Sequence, residues 1–96
     1  MIKAEITGEL LDTPEPRQTN SGAEFTVCRV LAACFRSEPC VLHVVSWQQT
    51  EGERLRKLKE GDPVHLKGHL TVKRTEGQPA AVGLNVRKVL PIESKL

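Results

Sequence analysis

The sequence predicts an all-β domain, a five-stranded Greek-key barrel with one short helix between its third and fourth strands. Three observations carry this. Five segments have strand length and strand composition. A single segment, residues 50–61, has helical spacing instead. Gly8 and Gly68 fall inside strand segments, where a barrel must bend or let another backbone approach.

Residues 2–11 place Ile2, Ala4, Ile6, Gly8 and Leu10 on one parity, the period of a half-buried strand. Residues 12–23, DTPEPRQTNSGA, hold two prolines and no large apolar group, which reads as a loop. The prolines argue against a sixth strand there. Residues 24–33, EFTVCRVLAA, are rich in β-formers and make the second strand, with Phe25 expected in the core. FRSEP turns the chain. Residues 40–47, CVLHVVSW, form the third strand, apolar on both parities, so it needs a cover on both faces.

Residues 50–61 begin with Thr50 and Glu53, the Thr-x-x-Glu pattern of a capping box. Leu55 and Leu58 share one helical face, Glu53 and Lys57 are spaced to pair, and Gly61 suits the position after the helix end. About two turns result, placed to plug one end of the barrel. Residues 63–74 alternate cleanly: Val64, Leu66, Gly68, Leu70 and Val72 face one way, His65, Lys67, His69, Thr71 and Lys73 the other. TEGQ turns the chain into a last strand, residues 80–90, with Val82, Leu84 and Val86 inward. This order is that of the OB-fold.

The 96 residues suit one domain with a thin core, for which self-association is a natural supplement. No apolar run approaches the length of a membrane span, and no signal-peptide core opens the chain. Nothing resembles a nucleophile–base pair, paired carboxylates or a phosphate-cradling glycine loop, so no enzyme is expected. Charge is uneven. Residues 1–53 carry four basic and eight acidic residues; residues 54–88 carry nine basic and three acidic. That asymmetry fits either a polyanionic partner or an unevenly charged solvated surface.

Cys28, Cys34 and Cys40 read as small half-buried residues in a reducing cytoplasm rather than as a Cys34–Cys40 cross-link. Cys40-x-x-His43 is the one ligand-like spacing and has no second pair, so neither metal nor cofactor is expected. The terminal Ser-Lys-Leu matches a peroxisomal address by chance; the expected location is cytoplasmic.

From about Ile2 to Val89 the chain resembles the bacterial single-stranded-DNA-binding protein family (SSB). Ala4, Ile6, Gly8 and Leu10 match its first strand. Asp12, Pro14 and Arg17 match its first loop, and Gly22, Phe25 and Val27 the start of its second strand. Val44-Val45-Ser46-Trp47 is similar to a strand ending in an aromatic. Leu58-Lys59-Glu60-Gly61-Asp62-Pro63-Val64, with Lys67-Gly68-His69-Leu70, gives the most specific match. The chain departs from the family in its few aromatics, in the missing aromatic of the last hairpin, and in lacking the acidic tail. In this short form it also resembles primosomal replication protein N, a tail-less dimeric relative.

The resemblance implies sequence-independent binding of single-stranded DNA, with RNA left open, in replication, repair or recombination. It implies a homodimer or homotetramer and replication or primosome proteins as partners. An OB module acting mainly through protein contacts is the alternative. Stacking and phosphate contacts are what such binding needs. Trp47 is the stacking candidate, or else a core or interface residue. Phe35, at a hairpin tip, either grips a base or packs on its own hairpin or a subunit. Lys67, Lys73 and Arg74 on the fourth strand are placed to follow phosphates. Arg54, Arg56 and Lys57 extend that path or face plain solvent. Arg29, on an otherwise apolar parity, needs a partner or a surface. Arg17 is similar to a family position near the groove. His65 and His69 flank Lys67 as stacking groups or ordinary surface residues.

Overall fold

The first strand, β1 (Ile2–Leu10), lies antiparallel to two partners and closes the sheet into a ring. The computed structural model describes residues 2–33, 38–78, 80–90 and 92. After β1 come β2 (Glu15–Gln18), β3 (Glu24–Ala32), β4 (Cys40–Ser46), α1 (Gln49–Arg56), β5 (Pro63–Lys73) and β6 (Ala81–Leu90). The strand order is β1-β5-β6-β4-β3-β2, with β1 also paired to β3. β1 runs along β5 from Ile2↔Leu70 to Glu9↔Pro63, and touches β3 only through Gly8, Glu9 and Leu10. β4 and β6 form the one parallel pair among the described strands.

The barrel and its helix agree with the expected fold, but the first loop contributes a sixth strand. β2, EPRQ, pairs with β3 alone. Pro16 is tolerated because an edge strand has one side on which no N–H is needed. The prolines therefore confine this segment to the edge without preventing pairing.

Alternation sorts the side chains as the sequence suggests. Leu10, Val30, Leu42, Val44, Val64, Leu66, Leu84 and Val86 are buried inside the ring. Two glycines let the walls come together. A Cβ on Gly8 would lie 2.4 Å from the Leu31 carbonyl oxygen, and one on Gly68 2.1 Å from that of Asn85. Close to Gly68, the register with β6 slips from Lys67↔Lys88 to Gly68↔Val86. The extra residue is Arg87. As in other bulges, the strand changes phase, so Arg87 and Lys88 both point outward while Val86 and Val89 point in.

The helix differs from the reading of residues 50–61. It starts earlier, at Gln49, with Gln48 as N-cap and no side-chain cap, so Thr50 lies within the helix and the capping box is not formed. Gly52 N–H donates to the Gln48 carbonyl at 2.8 Å, which fixes the earlier start. Glu53 accepts from Gln49 Nε2 (3.5 Å) rather than pairing with Lys57. Leu55 is fully buried in the core, and Leu58 packs against it from the turn that follows. Gly61 lies beyond the helix, not at its first exit position. At φ +91° it turns the chain into β5, and its N–H donates to the Leu10 carbonyl at 2.8 Å.

Glu51, in the first turn, is nearly buried, and its Oε2 accepts the Val89 N–H at 2.6 Å. The carboxylate thus fastens the helix to β6 just past the bulge, and Arg54 lies 3.5 Å from its other oxygen.

Candidate nucleic-acid interface

Residues of β3 that point out of the barrel are Phe25, Val27, Arg29 and Leu31. Those of β4 are Val41, His43 and Val45. In register, Val27 faces Val45, Arg29 faces His43 and Leu31 faces Val41. This makes one apolar wall crossed by a polar row.

Trp47 follows directly after β4 and is 48% exposed. Its ring lies against Phe25, with centroids 4.6 Å apart and planes at 31°. Phe25 is therefore on the outer face, not in the core. The opposite parity, Thr26, Cys28, Val30 and Ala32, takes the interior. Arg29, on the same parity as Phe25, is the sequence signal for this: a strand cannot turn Phe25 inward without taking the guanidinium with it.

Arg29 is held by Asp12 in a two-pronged pair, Nε to Oδ2 and Nη2 to Oδ1, each 2.8 Å. The hydrogen bonds from Arg29 hold the Asp12 carboxyl below its ordinary 3.8 and push the guanidinium's own value up. Arg17, on β2, lies 3.6 Å from Glu15. Both arginines predicted for this face thus stand beside carboxylates, and the wall around the aromatic pair has little net charge.

Free positive charge lies on the neighbouring strands. Val45 of β4 is in register with Asn85 of β6, and Asn85 with His69 of β5. At one strand spacing per step, the cationic strand is about 10 Å from the apolar wall. Lys67, His69 and Arg87 line a shallow cleft with Lys3 and Glu5 of β1. Arg87 Nε donates to His69 Nδ1 at 3.5 Å. His65 pairs with Glu5 at 2.6 Å. Lys3, Lys67, Arg87 and Lys88 have no carboxylate within ion-pair distance among the described residues. The sequence reading missed Phe25, Arg87 and Lys3. Arg87 and Lys88 point outward together only because of the bulge.

The remaining predicted residues fall elsewhere. Lys73 ends β5 and Arg74 follows it, both exposed, at the far end of the β5–β6 hairpin. Arg54 and Lys57 line a separate groove of about 780 Å³ at the helix end of the barrel, beside Leu58, Val64, Leu90 and Ile92. Phe35, like Cys34 of the suggested cross-link, lies outside the described residues. Cys28 is buried, and burial pushes its thiol up to about 12.

Solved structures share this architecture. An SSB domain from Synechococcus sp. is 22% identical, with 93% of each chain covered and a TM-score of 0.72. A small single-stranded DNA-binding protein from Streptomyces coelicolor is 21% identical over 92% of this chain and 89% of that one, with a TM-score of 0.73. A single-stranded DNA binding protein from Thermus aquaticus is 18% identical, covering all of this chain and 43% of that one, with a TM-score of 0.75. The fold is that of single-stranded-DNA-binding domains. At these identities the likeness is one of fold. No protein-family model and no curated protein matches the chain. No helix among the described residues is long and apolar enough to cross a membrane.

Proposed function

We propose that the chain binds single-stranded DNA, largely without regard to sequence, as a component of replication, repair or recombination. The observation that carries this is the exposed Trp47 ring, backed by Phe25, on a barrel wall that adjoins cations with no ion-pair partner among the described residues. Bases stack on Trp47, at about 1–3 kcal/mol per stacked base. Phosphates follow Lys67, His69 and Arg87, with Lys73 and Arg74 prolonging the path. Arg17, in register with Phe25, and Arg29, braced by Asp12 farther along β3, present guanidinium groups on the same wall. A single-stranded backbone can bring bases and phosphates to adjoining walls, whereas a duplex keeps its base faces stacked inside. Single-stranded RNA meets the same requirements and is a competitor to include in the test.

Self-association completes the reading. Among the described residues β1 pairs with β5 from Ile2 onward but with β3 only from Gly8, and no described strand lies along the other edge of Ile2 to Ile6, which suits that edge to a strand of a second copy. A homodimer or homotetramer joins several short binding walls into a longer one. A second reading, an assembly module for replication or primosome proteins, rests on the groove at the helix end, where Ile92 is 46% exposed.

Trp47 is the one tryptophan and the chain has no tyrosine, so its emission reports one site. Titration with oligo(dT) at low salt is expected to quench it. Affinity then falls as salt rises, with a logarithmic slope of about −0.7 per phosphate contacted. Absence of binding at low salt, by emission and by anisotropy, refutes the proposal and leaves the protein-contact reading.

A further inference from the structure

We propose, resting on the reading above, that the cleft beside Trp47 is a subsite for one nucleobase and that it prefers guanine. The cleft, of about 330 Å³, lies where the start of β3, the end of β4 and the first turns of α1 meet. Phe25 and Trp47 give it an aromatic wall. Glu24, Gln48 and Arg56 give it polar groups.

These groups are held in place by close packing of α1 on β3. A Cβ at Gly52 would fall 2.8 Å from Thr26 Oγ1, so only glycine lets the helix come this near. That approach brings Arg56 Nη1 to 3.5 Å from Thr26 Oγ1, which leaves the guanidinium half-buried with other donors to spare. Glu24 Oε1 accepts from Gln18 Nε2 at 3.3 Å, and its second oxygen has no partner among the described residues. The Gln48 side chain makes no hydrogen bond among them either.

One stacking wall, one carboxylate and one guanidinium define what fits. Guanine offers two adjacent donors, N1–H and the N2 amino group, to a single carboxylate. It offers two adjacent acceptors, O6 and N7, to a single guanidinium. Adenine, cytosine and thymine have no pair of donors on adjacent atoms for the carboxylate. The rest of the strand is still bound without regard to sequence; the preference concerns the one base in the cleft.

The test uses short oligo(dT) strands that carry one guanine, adenine or inosine at the same central position, with affinity read by anisotropy. The guanine strand is expected to bind about tenfold tighter than the adenine strand, the low end of a bidentate base contact. Inosine, which lacks the N2 amino group, falls between them. Glu24→Gln and Arg56→Gln, each first shown by thermal melting to be folded, are each expected to narrow the difference between the guanine and adenine strands, since each removes one of the two contacts that select guanine. Glu24 is exposed, so its variant stays informative if Arg56→Gln does not fold. Equal binding of all three strands by the unaltered protein overturns the guanine subsite and leaves single-strand binding standing. A guanine preference that is undiminished in Glu24→Gln also overturns it. Failure to bind any strand overturns both proposals.

Discussion

Gly68→Ala should be among the most damaging single substitutions in this chain, and its cost can be worked from distances. The added Cβ would lie 2.1 Å from the Asn85 carbonyl oxygen, 2.9 Å from its carbon and 3.0 Å from Val86 Cα. All three are backbone atoms of the paired strand, so no side chain can swing aside. Relief requires β5 and β6 to separate beside the bulge, which opens ladder hydrogen bonds and the core behind them. Overpacking typically costs about 1–3 kcal/mol, and a backbone collision belongs at the top of that range. A domain of this size has about 5–14 kcal/mol in total. A loss of about 3 kcal/mol lowers Tm by about 12–24 °C. Urea unfolding is the assay, with a lower midpoint and an unchanged slope as the expected result. Gly83→Ala is the comparison. Its Cβ would meet the Thr71 hydroxyl at 3.0 Å, a group that can rotate, and the expected cost is under about 1 kcal/mol. If Gly68→Ala is as mild as Gly83→Ala, the close approach of the strands at the bulge is refuted.

Three further outcomes follow from groups already described. Glu51→Ala leaves the Val89 N–H buried without its acceptor and should cost about 1–3 kcal/mol in urea unfolding, whereas Glu51→Gln, which keeps an acceptor, costs less. Asp12 should titrate below 3.8 in carbon-detected NMR, and Arg29→Ala should return it towards that value. Because its folded value is depressed, the pair's contribution to stability is present above the ordinary carboxylate range and is lost as pH falls through the lowered value. Cys28, with its thiol pushed up to about 12, should resist a thiol reagent at pH 8 while the protein is folded and react promptly in denaturant, as mass spectrometry of its peptide would show.

Much of the barrel was legible because its strands alternate. The segment 63–74 marked its inward face as far as Leu70, with Val72 of the same parity 52% exposed where the hairpin runs past the core, and the mid-strand positions of Gly8 and Gly68 announced backbone contact. The segment 24–33 was harder. Phe25, Val27 and Leu31 occupy one parity, Cys28, Val30 and Ala32 the other, and hydrophobicity alone does not choose between them. The meeting of Phe25 with Trp47 is a matter of cross-strand register, which one sequence does not record. The early helix start escaped notice because Gln48 is a poor cap by composition, and a tertiary bond from Glu51 to β6 outweighs the unused Thr50–Glu53 box. Lys88 was hidden by the bulge: strict alternation from Val82, Leu84 and Val86 turns Arg87 outward but Lys88 inward, and the extra residue brings both to the outer face.

The two partners of β1 also set how the chain must fold. Ile2 meets Leu70, and β4 cannot find its parallel neighbour until residues 82–85 are in place. Three of the six pairings, β1 with β5, β1 with β3 and β4 with β6, join strands that are not neighbours in the chain, so the entropy of closing long loops is spent before the ring can close. Folding is accordingly expected on the millisecond-to-second scale of high-contact-order β proteins. During synthesis, a nascent chain that ends before β6 still has unmatched edges on both β4 and β5. Such a fragment exposes the unpaired strand edges that make incomplete β folds prone to aggregate, and is not a smaller working barrel.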